Sequence, residues 1–163
     1  MKISRAAALI ALCLVAITPA SLLAQSCALP ADMAGLRAQV IDAVNAERAA
    51  QGLSALQSHA ALGDAAQGLA CDNADRRGIS HESSNGAQLR DRLRSAGYRY
   101  RLASENTGRG FGSPQRAVEW WMNSPHHRDN ILAGRVLDIG VGIALSAAPE
   151  SRLHWVINMG STR

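Results

Sequence analysis

The stretch LDIGVGIAL at residues 137–145 alternates Leu137, Ile139, Val141, Ile143 and Leu145 with Asp138, Gly140, Gly142 and Ala144. A period of two is the mark of a strand with one face on a core. LHWVINM at 153–159 repeats the pattern with Leu153, Trp155, Ile157 and Met159. The intervening segment with Pro149 is short enough for a hairpin, so the two strands are read as antiparallel. Further upstream Tyr98, Tyr100 and Leu102 alternate with Arg99 and Arg101, which predicts another half-buried strand running out at Ser104, Glu105 and Asn106.

Helical spacing fills the chain before and between these strands. Met33, Leu36, Val40 and Val44 recur every three or four residues between Asp32, a cap candidate, and Gly52. A second helix is read from Ser58, with Leu62, Ala65, Ala66 and Leu69 on one face, Cys71 near its end and a stop by Gly78. Residues 79–86 are polar and loop-like, and a short helix with Leu89 and Leu93 follows, ending at Gly97. Ser113-Pro114 and Ser124-Pro125 are each a cap followed by a first-turn proline, opening two further helices through Trp121 and Ile131. Helices on the faces of a mainly antiparallel sheet make the fold α+β, with Trp121 and Trp155 as the large rings expected in the core.

Residues 1–24 carry Lys2 and Arg5, an apolar run from Ala6 to Ile17 and small residues at Ala20 and Ala24, without an acidic residue. This is the pattern of a secretory signal peptide, its apolar run shorter than the roughly 20 residues a bilayer span requires. Residues 25–35 are then an N-terminal arm and 36–163 the folded domain, with no transmembrane segment expected in the mature chain. The signal segment carries two of the basic residues behind the net charge of +4. A domain so nearly balanced has no electrostatic footprint for nucleic acid. Its basic residues are all Arg, and Arg37, Arg48, Arg90, Arg94 and Arg116 are read as scattered along polar helix faces, a matter of residue usage rather than of recognition.

Cys13 belongs to the signal segment, leaving Cys27 and Cys71. In an oxidising compartment a bridge between them closes a loop of about 45 residues, worth about 4 kcal/mol in the chain-entropy model. The alternative is a lipidated Cys27, but Ala24-Gln25-Ser26 is a poor lipobox, and the disulfide is the favoured reading.

Most catalytic constellations are missing. There is no Gly-x-Ser-x-Gly elbow, no His-Glu-x-x-His helix and no pair of Cys-x-x-Cys motifs, and Gly108, Gly110 and Gly112 satisfy neither nucleotide-binding fingerprint. What is left is His81 in a loop, Glu105 at a strand end and His127 in a first helical turn. Two imidazoles and a carboxylate, if they converge, match an open zinc site with water in the fourth position; the alternative is polar residues satisfied by backbone groups at caps. His126 is read as solvent-facing, and His154 as lying on the sheet face opposite Trp155.

The ordered series Asn45, Arg48, Gly52, Leu53, His81, Gly97-Tyr98, Ser104-Glu105-Asn106-Thr107-Gly108, Ala117 to Trp121, the run from Ser124 to Leu132, and Ile139-Gly140-Val141-Gly142 resembles the bacterial branch of the CAP superfamily. That is the family of cysteine-rich secretory proteins, antigen 5 and plant pathogenesis-related class 1 proteins. The resemblance implies a three-layer α-β-α sandwich and a central cleft lined by two His and two acidic residues. His81, Glu105 and His127 match three of them. Where many members carry the second glutamate, this chain has Ser124, a cleft-associated residue that is neither ligand nor base.

These readings converge on a secreted or periplasmic, monomeric, non-enzymatic binding domain, with a polar cleft able to take a divalent metal, zinc first among them. The family's association with lipid and sterol binding, signalling and defence suggests a lipid or cell-envelope ligand. Two alternatives stand beside it: a zinc-assisted hydrolase of peptide or envelope material, and an envelope structural protein.

Overall fold

The computed structural model describes residues 27–148 and 152–162. The signal segment and Pro149, in the expected hairpin linker, lie outside the described residues. In chain order the elements are α1 (Met33–Ala50), β1 (Gln57–Ser58), α2 (Ala60–Asp75), α3 (Leu89–Ser95), β2 (Leu102–Arg109), α4 (Pro114–Met122), α5 (Pro125–Ile131), β3 (Asp138–Leu145) and β4 (Leu153–Ser161). The sheet order is β1-β3-β4-β2. β1 runs parallel to β3, and the β3–β4 and β4–β2 pairs are antiparallel.

Local chemistry accounts for most boundaries. The Asp32 carboxylate accepts from the Gly35 amide at 2.9 Å and caps α1, which ends just before Gly52 in the left-handed region. Ser113 caps α4 through the Arg116 amide, with Pro114 in the first turn. Gly97, again with positive φ, follows α3.

Two boundaries differ from the sequence reading. Ser58 is not the start of α2: the Gln57 and His59 amides donate to the Leu137 and Ile139 carbonyls, so a short parallel strand precedes a helix that begins at Ala60. The strand read from Tyr98 lies further along, at Leu102–Arg109. Tyr98 is buried ahead of it, donating to Asp138 at 2.8 Å, whereas Tyr100 is exposed. Two rings placed on one face by alternation therefore have different environments, because the backbone at 98–100 is not part of a strand. Glu105 falls in the middle of β2 rather than at a strand end.

The sheet is buried on both faces, which makes three layers. Ile139, Val141, Ile143, Trp155, Ile157 and Met159 pack with Val40 and Val44 of α1 and with Val118 and Trp121 of α4. On the opposite face Ala144 and Val156 meet Ala66, Leu69 and Ala70 of α2. Trp121 and Trp155 are fully buried, their indole N–H groups donating to the carbonyls of Thr107 and Phe111, both at 2.9 Å.

The α2 layer sits unusually close. A Cβ built on Gly140 would lie 2.1 Å from the Gly63 nitrogen, and one on Gly142 would lie 2.3 Å from the Ala66 carbonyl group. The glycines that read as the polar side of an alternating strand are instead the seat of a helix.

Arg48 corrects another reading. It is buried, not on a polar face, and its guanidinium donates to the carbonyls of Ser54, Ile131, Ala133 and Val136 at 2.7–3.4 Å. Burial lowers its pKa from the usual arginine value. Arg37 is half-buried and donates to Gln67 at 2.8 Å. That amide in turn bonds both the N–H and the C=O of Ile143. The Ala28 carbonyl accepts from the Leu145 amide at 2.8 Å, beside the Cys27–Cys71 disulfide that ties this segment to α2.

Gly140→Ala should cost about 3 kcal/mol in urea unfolding, the upper range of overpacking penalties. Gly63→Ala, whose Cβ meets nothing within 4 Å, should be neutral or stabilising by up to about 1 kcal/mol.

Candidate functional site

His81 is presented by a loop that has no secondary structure of its own but is held from beneath by α2. The buried Asn73 side chain exchanges two hydrogen bonds with the Ser80 backbone, and Asp72 accepts from the Ser84 amide at 3.0 Å. From α3, Arg92 donates to the carbonyls of His81 at 3.1 Å and Ala87 at 2.8 Å. These bonds fix the loop backbone while leaving the His81 side chain 61% exposed.

Glu105 lies beneath it, its side chain only 2% exposed. A carboxylate so buried requires partners. It has them: His81 Nδ1 stands 3.0 Å from Oε1, and Arg92, itself only 8% exposed, donates to Oε2 at 2.8 Å. Asn158 faces Glu105 across the β2–β4 pair. In the amide orientation that satisfies both its ends, it adds a third bond to Oε2 at 2.9 Å and accepts from the Ala66 amide. One carboxylate thus links the sheet, α3 and the His81 loop.

His127 enters from α5. Its carbonyl accepts from Asn106 at 3.0 Å, and Asn130 bonds the Asn106 side chain at 2.9 Å and the Glu105 carbonyl at 3.4 Å, seating the helix against β2. The half-buried ring lies 5.1 Å from Trp120, which stands 5.3 Å from Phe111. Burial lowers the His127 pKa from 6.5, and the charges of His81 and His126 add to the shift. Its Nδ1 is buried without a hydrogen-bond partner. Ser124 is the N-cap residue of α5, though its side chain makes no cap bond.

The structure therefore brings His81 and Glu105 into contact, and His127 near enough to His81 to feel its charge. No hydrogen bond joins His127 to either. Among the described residues no group of three or more His, Cys, Asp or Glu side chains is placed to hold a metal ion. Both Glu105 oxygens are already hydrogen-bonded within the protein.

The residue missed by the sequence reading is Arg92, and a signal for it existed. It lies three positions after Leu89 and beside Leu93, inside the apolar stripe of α3, where a charged residue must find a buried partner. Of the remaining histidines, His126 is exposed, as read. His154 does lie on the face opposite Trp155, but that face is covered, so the residue is buried. Burial lowers its pKa from 6.5, Arg109 adds to the shift, and the Gly78 backbone opposes it.

A model of the family described as the cysteine-rich secretory protein family, CAP, matches residues 41–159. The chain belongs to the CAP family. The uncharacterized Bacillus subtilis protein YkwD is 34% identical to this CAP chain over 119 residues, covering 73% of it and 46% of YkwD. The uncharacterized B. subtilis membrane protein YlbC is 30% identical over 105 residues, covering 64% and 30%. The CAP chain thus spans less than half the length of these curated relatives. Among solved structures, an extracellular SCP-domain protein from Bacillus anthracis superposes with a TM-score of 0.69 at 28% identity, covering 77% of this chain and 40% of that one. An outer surface protein from Borrelia burgdorferi shares the fold with a TM-score of 0.68 at 20% identity, covering 76% and 90%.

Arg92→Leu should destabilise the domain by about 3–5 kcal/mol, because it leaves Glu105 buried and uncompensated. The double variant Arg92→Leu/Glu105→Leu should lose less than Arg92→Leu alone, a non-additivity read from denaturant midpoints. For His154 the folded pKa lies below the unfolded one, so the unfolded chain binds the proton first and stability falls as pH drops below about 6.5. His154→Leu should flatten that dependence between neutral pH and about 5.5, where carboxylates still contribute little.

Proposed function

We propose that this CAP domain is an extracytoplasmic, non-catalytic binding module whose His81–Glu105–His127 cleft receives a cell-envelope ligand, a lipid headgroup or an envelope polymer. The observation that carries the reading is the state of Glu105. A carboxylate held by Arg92, His81 and Asn158 has both oxygens engaged within the protein rather than turned toward a substrate. No nucleophile paired with a base stands nearby among the described residues, so the groups available to a ligand are the exposed imidazole of His81 and the aromatic flank of Trp120 and His127. The disulfide supports a location outside the cytoplasm. So does the likeness to an extracellular SCP-domain protein.

Metal is not a requirement of this reading. A divalent ion such as zinc would take the imidazoles of His81 and His127 as its protein ligands, while recruiting Glu105 through Oε1 would compete with its contact to His81 Nδ1 and leave Arg92 on Oε2. The hydrolase alternative depends on that exchange, and the scaffold alternative on the cleft binding nothing.

The test combines sedimentation with isolated bacterial envelope material and calorimetric titration with zinc, for the wild type and for His81→Ala/His127→Ala. The expected result is co-sedimentation of the wild type that the double variant loses with its melting temperature unchanged, and no hydrolysis of peptide or envelope substrate. Zinc-dependent hydrolysis abolished in the variant would establish the enzyme instead. Equal sedimentation of the two proteins, or none, would remove the cleft as a binding site.

A further inference from the structure

Arginines that look scattered in the sequence meet in one place on the surface. Arg90 and Arg94 of α3 and Arg99 of the stretch that follows it line a groove of about 610 Å³ floored by Tyr98 and edged by Tyr100. A second hollow of about 530 Å³ shares Arg90 and Tyr100 with it and extends toward Gly86 and Ala103. The two form an extended trough along α3, separate from the His81 cleft. All three arginines are exposed, the Arg90 side chain at 72%.

Their charges are largely uncommitted. Arg90 stands 3.5 Å from Asp91, a long contact, and Asp91 is engaged with its other oxygen in capping α3 through the Gln88 amide. Among the described residues Arg94 and Arg99 have no ion pair, and Asp91 is the one carboxylate lining either hollow. Three like charges that share one carboxylate between them still carry an excess of positive charge, which an anion would relieve. Arg92, between Arg90 and Arg94, turns inward to Glu105 and does not contribute.

We infer that this trough is a binding site for a linear phosphate-bearing polyanion. A guanidinium is a planar fork suited to phosphate oxygens, and a tetrahedral phosphate accepts several forks from different directions. Here the forks come from two segments, α3 and the stretch that follows it, around one hollow. Two hollows that adjoin at Arg90 and Tyr100 suit a chain rather than a single ion. Tyr100, 40% exposed, offers a ring face and a hydroxyl to the segment between phosphates. This inference is independent of the cleft reading.

Inorganic polyphosphate is the probe, titrated by calorimetry into the wild type, Arg94→Gln/Arg99→Gln and Arg116→Gln, the last removing an exposed arginine of α4 outside the trough. The expected result is binding that weakens as salt rises and falls about tenfold or more in the double variant, with an unchanged melting temperature and little effect of Arg116→Gln. Orthophosphate should bind far more weakly than the polymer. The site is overturned if polyphosphate does not bind, if the double variant binds as well as the wild type, or if Arg116→Gln loses as much. Equal affinity for orthophosphate, or binding to phosphatidylglycerol vesicles without binding to polyphosphate, would likewise overturn the assignment to a linear phosphate chain.

Discussion

Helix α2 lies against β3 with backbone nearly touching backbone, because Gly140 and Gly142 place no side chain between them. Such contact maximises dispersion between the layers and leaves no slack for the helix to shift. The fixed spacing positions the His81–Glu105 pair. The C-terminal end of α2 carries Asp72 and Asn73, which hold the loop bearing His81. Its middle supplies the Ala66 amide that orients Asn158 toward Glu105. A helix standing one side-chain layer further out would separate the imidazole from the carboxylate.

Two guanidinium groups do inside the molecule what secondary structure does elsewhere. Arg48 gathers carbonyls from the segments after α1 and around the end of α5, and Arg92 gathers carbonyls of the His81 loop together with the Glu105 carboxylate. Irregular backbone under a packed layer needs donors for its carbonyls, and a side chain with five N–H groups in a rigid plane meets that need at one position. The difference is in charge balance. Arg92 is neutralised by Glu105, whereas Arg48 is held by dipoles alone, which is why burial weakens its hold on the proton.

The strand alternation at 137–145 and 153–159, the caps at Asp32 and Ser113 and the two indole anchors were legible because each is a local rule: period, cap chemistry, ring size. Ser58 and the 98–102 segment were not, because whether an extended residue belongs to a strand depends on a partner distant in sequence, Leu137 for Gln57 and Ser161 for Arg101. The site was legible in part. His81 and Glu105 stand together as the family resemblance implied, but the partner that decides the chemistry of Glu105 is an arginine. Arg48 and Arg92 continue the apolar stripes of Val40 and Val44 and of Leu89 and Leu93, so their burial was written in the periodicity, while their charge argued for the surface. Arg90, Arg94 and Arg99 posed the opposite problem: each is exposed, as read, but their proximity comes from a turn whose path spacing does not encode.

The hydrogen bonds from Gln67 and Ala28 to β3 bear on how the molecule behaves in company. β1 covers only the first residues of that strand, and beyond it the outward groups of Ile143 are taken by a side-chain amide that Arg37 steadies, and the Leu145 amide by a segment the disulfide holds in place. On the far side of the sheet, Asn130 of α5 occupies the Glu105 carbonyl of β2. An uncovered strand would be a template on which a second copy could add its own. Here side chains and a stapled arm occupy part of those positions, which shortens the edge along which strands could assemble.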